Sequence, residues 1–162
     1  MPRTLLILAG LVSLATAAAA QDGAKMSLGY AYLKYLETDG GSTPTGAYLS
    51  VSGGGKTTLE LDAGYHRESE EGLSLNTFTL MAGPRFSSAS RGSAEPYLHL
   101  LGGVRHDRIE GESNTALGGM AGIGVDVGTS GSVAIRLGAD FQLFRDEGEN
   151  LKTLRLNAGL TF

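Results

Sequence analysis

From Lys25 to the end of the chain, apolar and polar residues alternate one for one in run after run. No stretch keeps apolar residues at i, i+3, i+4 and i+7 for three turns, so helix is nearly absent from the predicted elements. The last run is the cleanest. Leu154, Leu156, Ala158, Leu160 and Phe162 fall on one face, and Thr153, Arg155, Asn157, Gly159 and Thr161 on the other, because successive strand side chains point to opposite sides. In the run before it, Val133, Ile135, Leu137, Ala139, Phe141 and Leu143 oppose Ala134, Arg136, Gly138, Asp140 and Gln142. The same alternation runs through Thr57 to Arg67, Phe78 to Phe86, Leu98 to Val104 and Leu117 to Val127. Together with the punctuation between runs, it predicts eight strands, at about 25–36, 45–53, 56–67, 74–87, 95–108, 114–128, 132–145 and 151–162.

Two kinds of connection take turns between these runs. Gly53-Gly54-Gly55 and Thr129-Ser130-Gly131 are tight turns, and Ser88 to Ala94 is a longer member of that set, carrying Arg91 and no acid. Glu37 to Pro44, Glu68 to Gly72, Ile109 to Ser113 and Asp146 to Asn150 are acidic. Such alternation describes an up-and-down meander whose two ends face different surroundings. Strands of about ten to fourteen residues can cross a bilayer at a tilt near 45°. An open sheet in lipid would leave edge amides without partners, at several kcal/mol each, so these strands can span only as a sealed barrel. The predicted fold is therefore all-β, an eight-stranded antiparallel up-and-down transmembrane β-barrel. An even strand number places both termini on the side of the short turns.

The first twenty residues stand outside this pattern. Arg3 supplies a short positive region, Thr4 to Thr16 is an apolar stretch, and Ala18-Ala19-Ala20 offers small residues at a cleavage site before Gln21. The apolar stretch is too short for a membrane-spanning helix, which needs about twenty residues. The expected organisation is a signal peptide at 1–20 and a barrel domain at 21–162. Composition narrows the classes further. The 162 residues carry a net charge of −4, which argues against a nucleic-acid binder, since those need a dense basic face. The absence of Cys excludes disulfides, thiolate metal sites and a cysteine nucleophile.

A soluble eight-stranded barrel, with its apolar row turned inward around a ligand, shows the same alternation. The polar row favours the opposite orientation. Gly29, Gly64, Gly83, Gly103, Gly118, Gly122, Gly124, Gly138 and Gly159 give that row minimal volume, as a narrow interior demands. The chain has no Trp and ends on an apolar residue, Phe162. The Gly-Tyr-Ala-Tyr-Leu run at 29–33, Ala82-Gly83-Pro84-Arg85-Phe86, Leu101-Gly102-Gly103-Val104-Arg105, Gly122-Ile123-Gly124-Val125-Asp126-Val127, Ala134-Ile135-Arg136-Leu137-Gly138-Ala139-Asp140 and the terminal Leu-Thr-Phe, in this order, resemble the bacterial outer-membrane β-barrel domain family, the small OmpA-like barrels. The resemblance covers essentially everything after the leader. It implies residence in the outer membrane of a Gram-negative envelope, among outer-membrane lipids and lipopolysaccharide. It also implies insertion by the barrel-assembly machinery, for which Phe162 and Leu160 would form the C-terminal signal. Larger members continue into a peptidoglycan-binding domain, which this sequence does not contain.

Motifs that suggest other chemistry lack their context. Gly55-Lys56-Thr57 resembles the tail of a phosphate-binding loop, but Ser50 stands where the first glycine is needed and a strand follows. Gly119 to Gly124 has no helix behind it, as a dinucleotide loop requires. His66, His99 and His106 have no metal-ligand spacing, with His66 and His99 expected inside and His106 near an outer rim. No Ser lies two positions from any of them, so a lipid-modifying enzyme lacks its nucleophile and base. No catalytic, cofactor-binding or metal site is expected.

The constellation that remains is a set of inward charges, Glu60, Asp62, Asp126 and Asp140 against Arg85, Arg105, Arg136 and Arg155. In a confined lumen these are expected to pair, with Asp140 opposite Arg155 and Arg136 diagonal to Asp126. Eight strands leave an interior just wide enough for side chains to fill. The expected role is thus a structural or surface-interaction barrel, expected to be a monomer, with a narrow porin-like channel as the alternative. The acidic connections could also gather divalent cations at a lipopolysaccharide surface. The sequence names no extracellular partner.

Overall fold

The computed structural model describes residues 23–36, 43–70, 73–88, 93–109, 112–128, 132–146 and 149–162. The expected signal peptide, the Thr129-Ser130-Gly131 turn and the tips of the acidic connections lie outside them. Eight strands follow in order: β1 (Lys25–Tyr35), β2 (Thr45–Ser52), β3 (Thr57–Glu70), β4 (Leu73–Ser87), β5 (Ala94–Ile109), β6 (Glu112–Gly128), β7 (Ala134–Asp146) and β8 (Glu149–Thr161). Each pairs antiparallel with the next, and β8 returns to β1, closing the barrel. Beyond β8, the Phe162 amide donates to the Met26 carbonyl at 2.8 Å and its own carbonyl accepts from Met26 at 3.1 Å, so the last residue seals the first strand.

Closure carries a stagger. From Thr161 on β8, paired positions lead through Ser27, Ser50, Asp62, Met81, Gly103, Gly118 and Phe144 back to β8 at Leu151, ten residues away. With eight strands, that stagger tilts them by about 40° from the barrel axis. Alternation then decides the two surfaces. Leu137, Ile123, Leu98, Leu59 and Leu156 point outward and are exposed, while Asp140, Arg155, His99 and Glu60 point inward and are buried. At this tilt an outward row such as Ile135 to Leu143 rises about 20 Å.

Three of the acidic connections are shorter than the sequence pattern suggests. Glu68, Ser69 and Glu70 extend β3, Glu112 and Ser113 begin β6, and Asp146, Glu149 and Asn150 belong to β7 and β8. Antiparallel pairing continues to Glu70↔Leu73, Ile109↔Glu112 and Asp146↔Glu149, so the ladder carries these residues out as ribbon.

The lumen is not uniformly polar. Met81, Leu101, Ala116, Met120 and Phe144 form a buried apolar cluster in its loop-side half, with Leu151 packed against it. These residues hold the inward parity of their strands. The terminus-side half contains the buried charges other than Arg105.

Candidate functional site

Eight inward side chains from six strands form one connected ionic chain. Arg155 on β8 binds Asp62 on β3 through both terminal nitrogens, at 2.8 and 3.1 Å, and its Nε donates to Asp140 Oδ2 at 2.7 Å. Asp140 Oδ1 lies 2.9 Å from His99 Nε2, and His99 Nδ1 lies 2.9 Å from Glu60 Oε2. Glu60 Oε1 meets Arg136 Nη1 at 3.5 Å. Arg136 in turn forks onto Asp126, with Nε–Oδ1 and Nη2–Oδ2 distances of 2.8 and 2.9 Å. Arg85 completes the chain, 2.8 Å from Asp126 and 3.6 Å from Glu60. All eight residues are buried, Asp140 and His99 to 0% and 2% exposure.

Several of these contacts bridge strands that are not neighbours. Asp62 and Arg155 join β3 to β8, Glu60 and His99 join β3 to β5, and His99 and Asp140 join β5 to β7. Arg136 also donates to Ser50 on β2 at 2.8 Å. At the terminus-side mouth, Lys25 on β1 pairs with Glu95 on β5. Aromatic rings fill the spaces between: Tyr97 lies under the Arg85 guanidinium at 3.7 Å and the Arg136 guanidinium at 4.9 Å, and Tyr48 faces Arg155 at 5.7 Å.

Glycines make room for this packing. A Cβ at Gly122 would sit 2.0 Å from Asp140 Oδ1 and 2.3 Å from His99 Nε2, and one at Gly124 would meet the Tyr97 ring at 2.4 Å. At Gly122, Gly124 and Gly138 side chains from other strands cross the lumen.

The structure brings together seven of the eight residues singled out as inward charges. The eighth, Arg105, stands apart in the loop-side half. It pairs with Asp107 at 2.7 and 2.9 Å, and bonds Tyr35 and Thr77. Its place in the central chain is taken by His99, whose two nitrogens can donate to two carboxylates only in the imidazolium form. The chain then holds four acids and four cations. Arg136 is directly opposite Asp126, not diagonal to it, because the β6–β7 ladder pairs Asp126↔Arg136. Asp140 is opposite Arg155. His66 is fully buried, and His106 is exposed and bonded to Thr115 at 2.8 Å. Phe162 and Leu160 are exposed on the outward row.

Sequence reasoning placed His99 inside without giving it an ionic role, and passed over the Lys25–Glu95 pair and the inward apolar cluster. Parity was the available signal: His99, Leu101 and Met120 sit at inward positions once their strands are aligned.

Some buried polar atoms have no protein partner among the described residues. These include both ring nitrogens of His66, Thr79 Oγ1, Gln142 Oε1 and the Tyr48 hydroxyl. Atoms of this kind call for internal water.

No protein-family profile matches the chain, and no curated protein matches it significantly. Solved structures do. Neisserial surface protein A is 13% identical with a TM-score of 0.73, over 86% of this chain and 96% of that one. Ail, the attachment invasion locus protein of Yersinia pestis, is 18% identical with a TM-score of 0.60, over 88% of this chain and 100% of that one. The N-terminal β-barrel domain of Pseudomonas aeruginosa OprF is 14% identical with a TM-score of 0.54, over 85% of this chain and 97% of that one. At such identities the likeness is one of fold, shared with small eight-stranded outer-membrane barrels.

Proposed function

We propose that this chain is an outer-membrane barrel with a structural or surface-interaction role, and that its lumen is a plug instead of a pore. The observation that carries this reading is the ionic chain tying β3 to β5 and β8 across the interior. An open channel would keep its wall charges apart and solvated. Here each carboxylate of the chain meets at least one cation within hydrogen-bond distance. The membrane part of the reading is supported by the outward rows, whose apolar residues would be penalised in water and are stabilised in lipid. The terminal Phe162, paired to the first strand, is where the assembly machinery would read the C-terminal signal.

The role is proposed as non-enzymatic. His99, the histidine with acid partners, is enclosed between them and offers no reactive face. A second reading, a narrow conduit for water or a small solute, is favoured by the partnerless atoms of His66, Thr79 and Gln142.

Two measurements test the proposal. The protein should fractionate with the outer membrane and shift its gel mobility on boiling. In a planar bilayer, the refolded barrel should show no sustained conductance. Conductance near that of larger porins would sink the plug reading, and a monomer soluble without detergent would overturn the membrane assignment.

A further inference from the structure

One layer of the lumen, between the ionic chain and Arg105, is built differently from its neighbours. His66, Thr79 and Gln142 point inward there from β3, β4 and β7, at 0%, 1% and 0% exposure. Both His66 ring nitrogens, Thr79 Oγ1 and Gln142 Oε1 have no protein partner among the described residues. Two of these groups converge. A Cβ at Gly64 would lie 2.6 Å from Thr79 Oγ1, 2.9 Å from His66 Cε1 and 3.5 Å from His66 Nδ1, so ring and hydroxyl close on one spot without bonding each other. Gln142 is one inward position toward the loops from Asp140, and its Nε2 reaches only a thioether, Met120 Sδ, at 3.4 Å. The two ends of an amide are equal in shape, so the opposite orientation presents Nε2 as a donor where Oε1 stands.

Two guanidinium groups bound this layer. On its terminus side lies Arg155, held by Asp62 and Asp140. On its loop side Arg105 reaches across the lumen from β5 to Tyr35 on β1, to Thr77 Oγ1 on β4 at 3.3 Å and to Thr153 Oγ1 on β8 at 3.5 Å. Register fixes the order, since Thr77 is one inward position beyond Thr79 and Thr153 one beyond Arg155. The charges close enough to act on the His66 ring are these two cations, and no carboxylate is among them. Internal water satisfies isolated polar atoms in many proteins, but these surroundings select more narrowly. A neutral imidazole offers one N–H, a hydroxyl its O–H and a turned amide its NH2. Donors gathered between two cations stabilise a negative charge, whereas a metal ion in the same place would be repelled from both sides. Leu33, Met81 and Met120, all buried, take up much of the remaining width, so the occupant must be small.

We propose that this layer of the lumen binds a small monovalent anion of halide size, held by the His66 N–H, the Thr79 hydroxyl and the Gln142 amide between the guanidinium groups of Arg155 and Arg105. The proposal rests on the plugged lumen described above, because a solvated channel would leave the same donors to bulk water. It gives the partnerless atoms of His66, Thr79 and Gln142 a fixed ligand instead of a passing one.

The test uses the protein refolded into phosphatidylcholine bilayers, with bromide exchanged for gluconate at constant ionic strength so that screening stays fixed. Gluconate is too large for the layer. The readout is the folding equilibrium constant, followed by gel mobility across a urea series. Once bromide exceeds its dissociation constant, each tenfold rise should raise the folding constant about tenfold, as one ligand bound only to the folded state requires. Two variants of nearly unchanged size, Thr79→Val and Gln142→Leu, each remove one donor and should refold with a much weaker dependence on bromide. Should one fail to refold, the other decides. Crystals grown in bromide should carry an anomalous peak beside Thr79 Oγ1. A folding constant indifferent to bromide, an undiminished dependence in the variants, or a crystal with no peak in this layer would overturn the proposal and assign the layer to water, while a bilayer without conductance would keep the plug reading intact. Sustained conductance would overturn both.

Discussion

At the residue scale, the lumen depends on one absent atom group. Gly122 lies where His99 and Asp140 meet, and an added methyl would stand 2.0 Å from the carboxylate. Gly122→Ala should therefore part that pair and cost roughly 3 kcal/mol, as expected when a buried ion pair is broken. Gly102→Ala should cost far less, because its nearest neighbour would be 3.9 Å away. Urea unfolding of both variants in lipid checks the contrast. Arg155 offers a second test. Replacing it alone with Met leaves Asp62 without its cation, at about 3–5 kcal/mol. Adding Asp62→Leu should recover much of that loss, since Asp140 keeps His99 and Asn157. Adding Asp140→Asn instead should recover less, because Asp62 stays stranded. Equal recovery would show that the two acids do not share Arg155 as described. The charged members of this chain were legible from alternation alone. The inward position of His99 was legible too, but its pairing was not, because its partners Glu60 and Asp140 lie 39 and 41 positions away on strands that do not pair with its own.

At the element scale, the strands were read well because period-two alternation constrains a strand directly, and closure followed from the need to leave no edge. The acidic ends were read poorly. Ser and Gly are turn-forming residues and Glu is disfavoured in strands, yet at Glu68 to Glu70 the ladder of β3 with β4 outweighs local preference and continues the strand. The outward rows yield a directional prediction. Arg placed at Leu137, in the middle of its row, should cost about 2–4 kcal/mol in a bilayer, while Arg at Ser113, exposed beyond the apolar stretch of β6, should cost close to nothing. Refolding equilibria in lipid vesicles measure the difference. The last residue has its own test. Deleting Phe162 removes both hydrogen bonds to Met26, whereas Phe162→Glu keeps them and changes only the side chain. If the aromatic group is the assembly signal, both variants should reach the outer membrane in much lower yield than a one-residue deletion in an acidic connection; a normal yield for Phe162→Glu would assign the role to the backbone pairing instead.

At the scale of the whole molecule, the ties across the lumen have a kinetic consequence. None of the contacts between β3 and β8, β3 and β5, or β5 and β7 can exist in a growing sheet, because each needs the wall to have curved round on itself. Before that moment Asp62 and His99, whose ionic partners all lie on strands that do not neighbour their own, must remain hydrated, since bare charges in lipid or in a dry cleft would cost several kcal/mol each. An inserting sheet therefore carries a water-filled groove into the membrane and expels most of that water only as β1 and β8 join. The rate-limiting step should accordingly be a late, all-or-none dehydration, slowed when β1–β8 pairing is weakened and little affected when a distant hairpin is loosened.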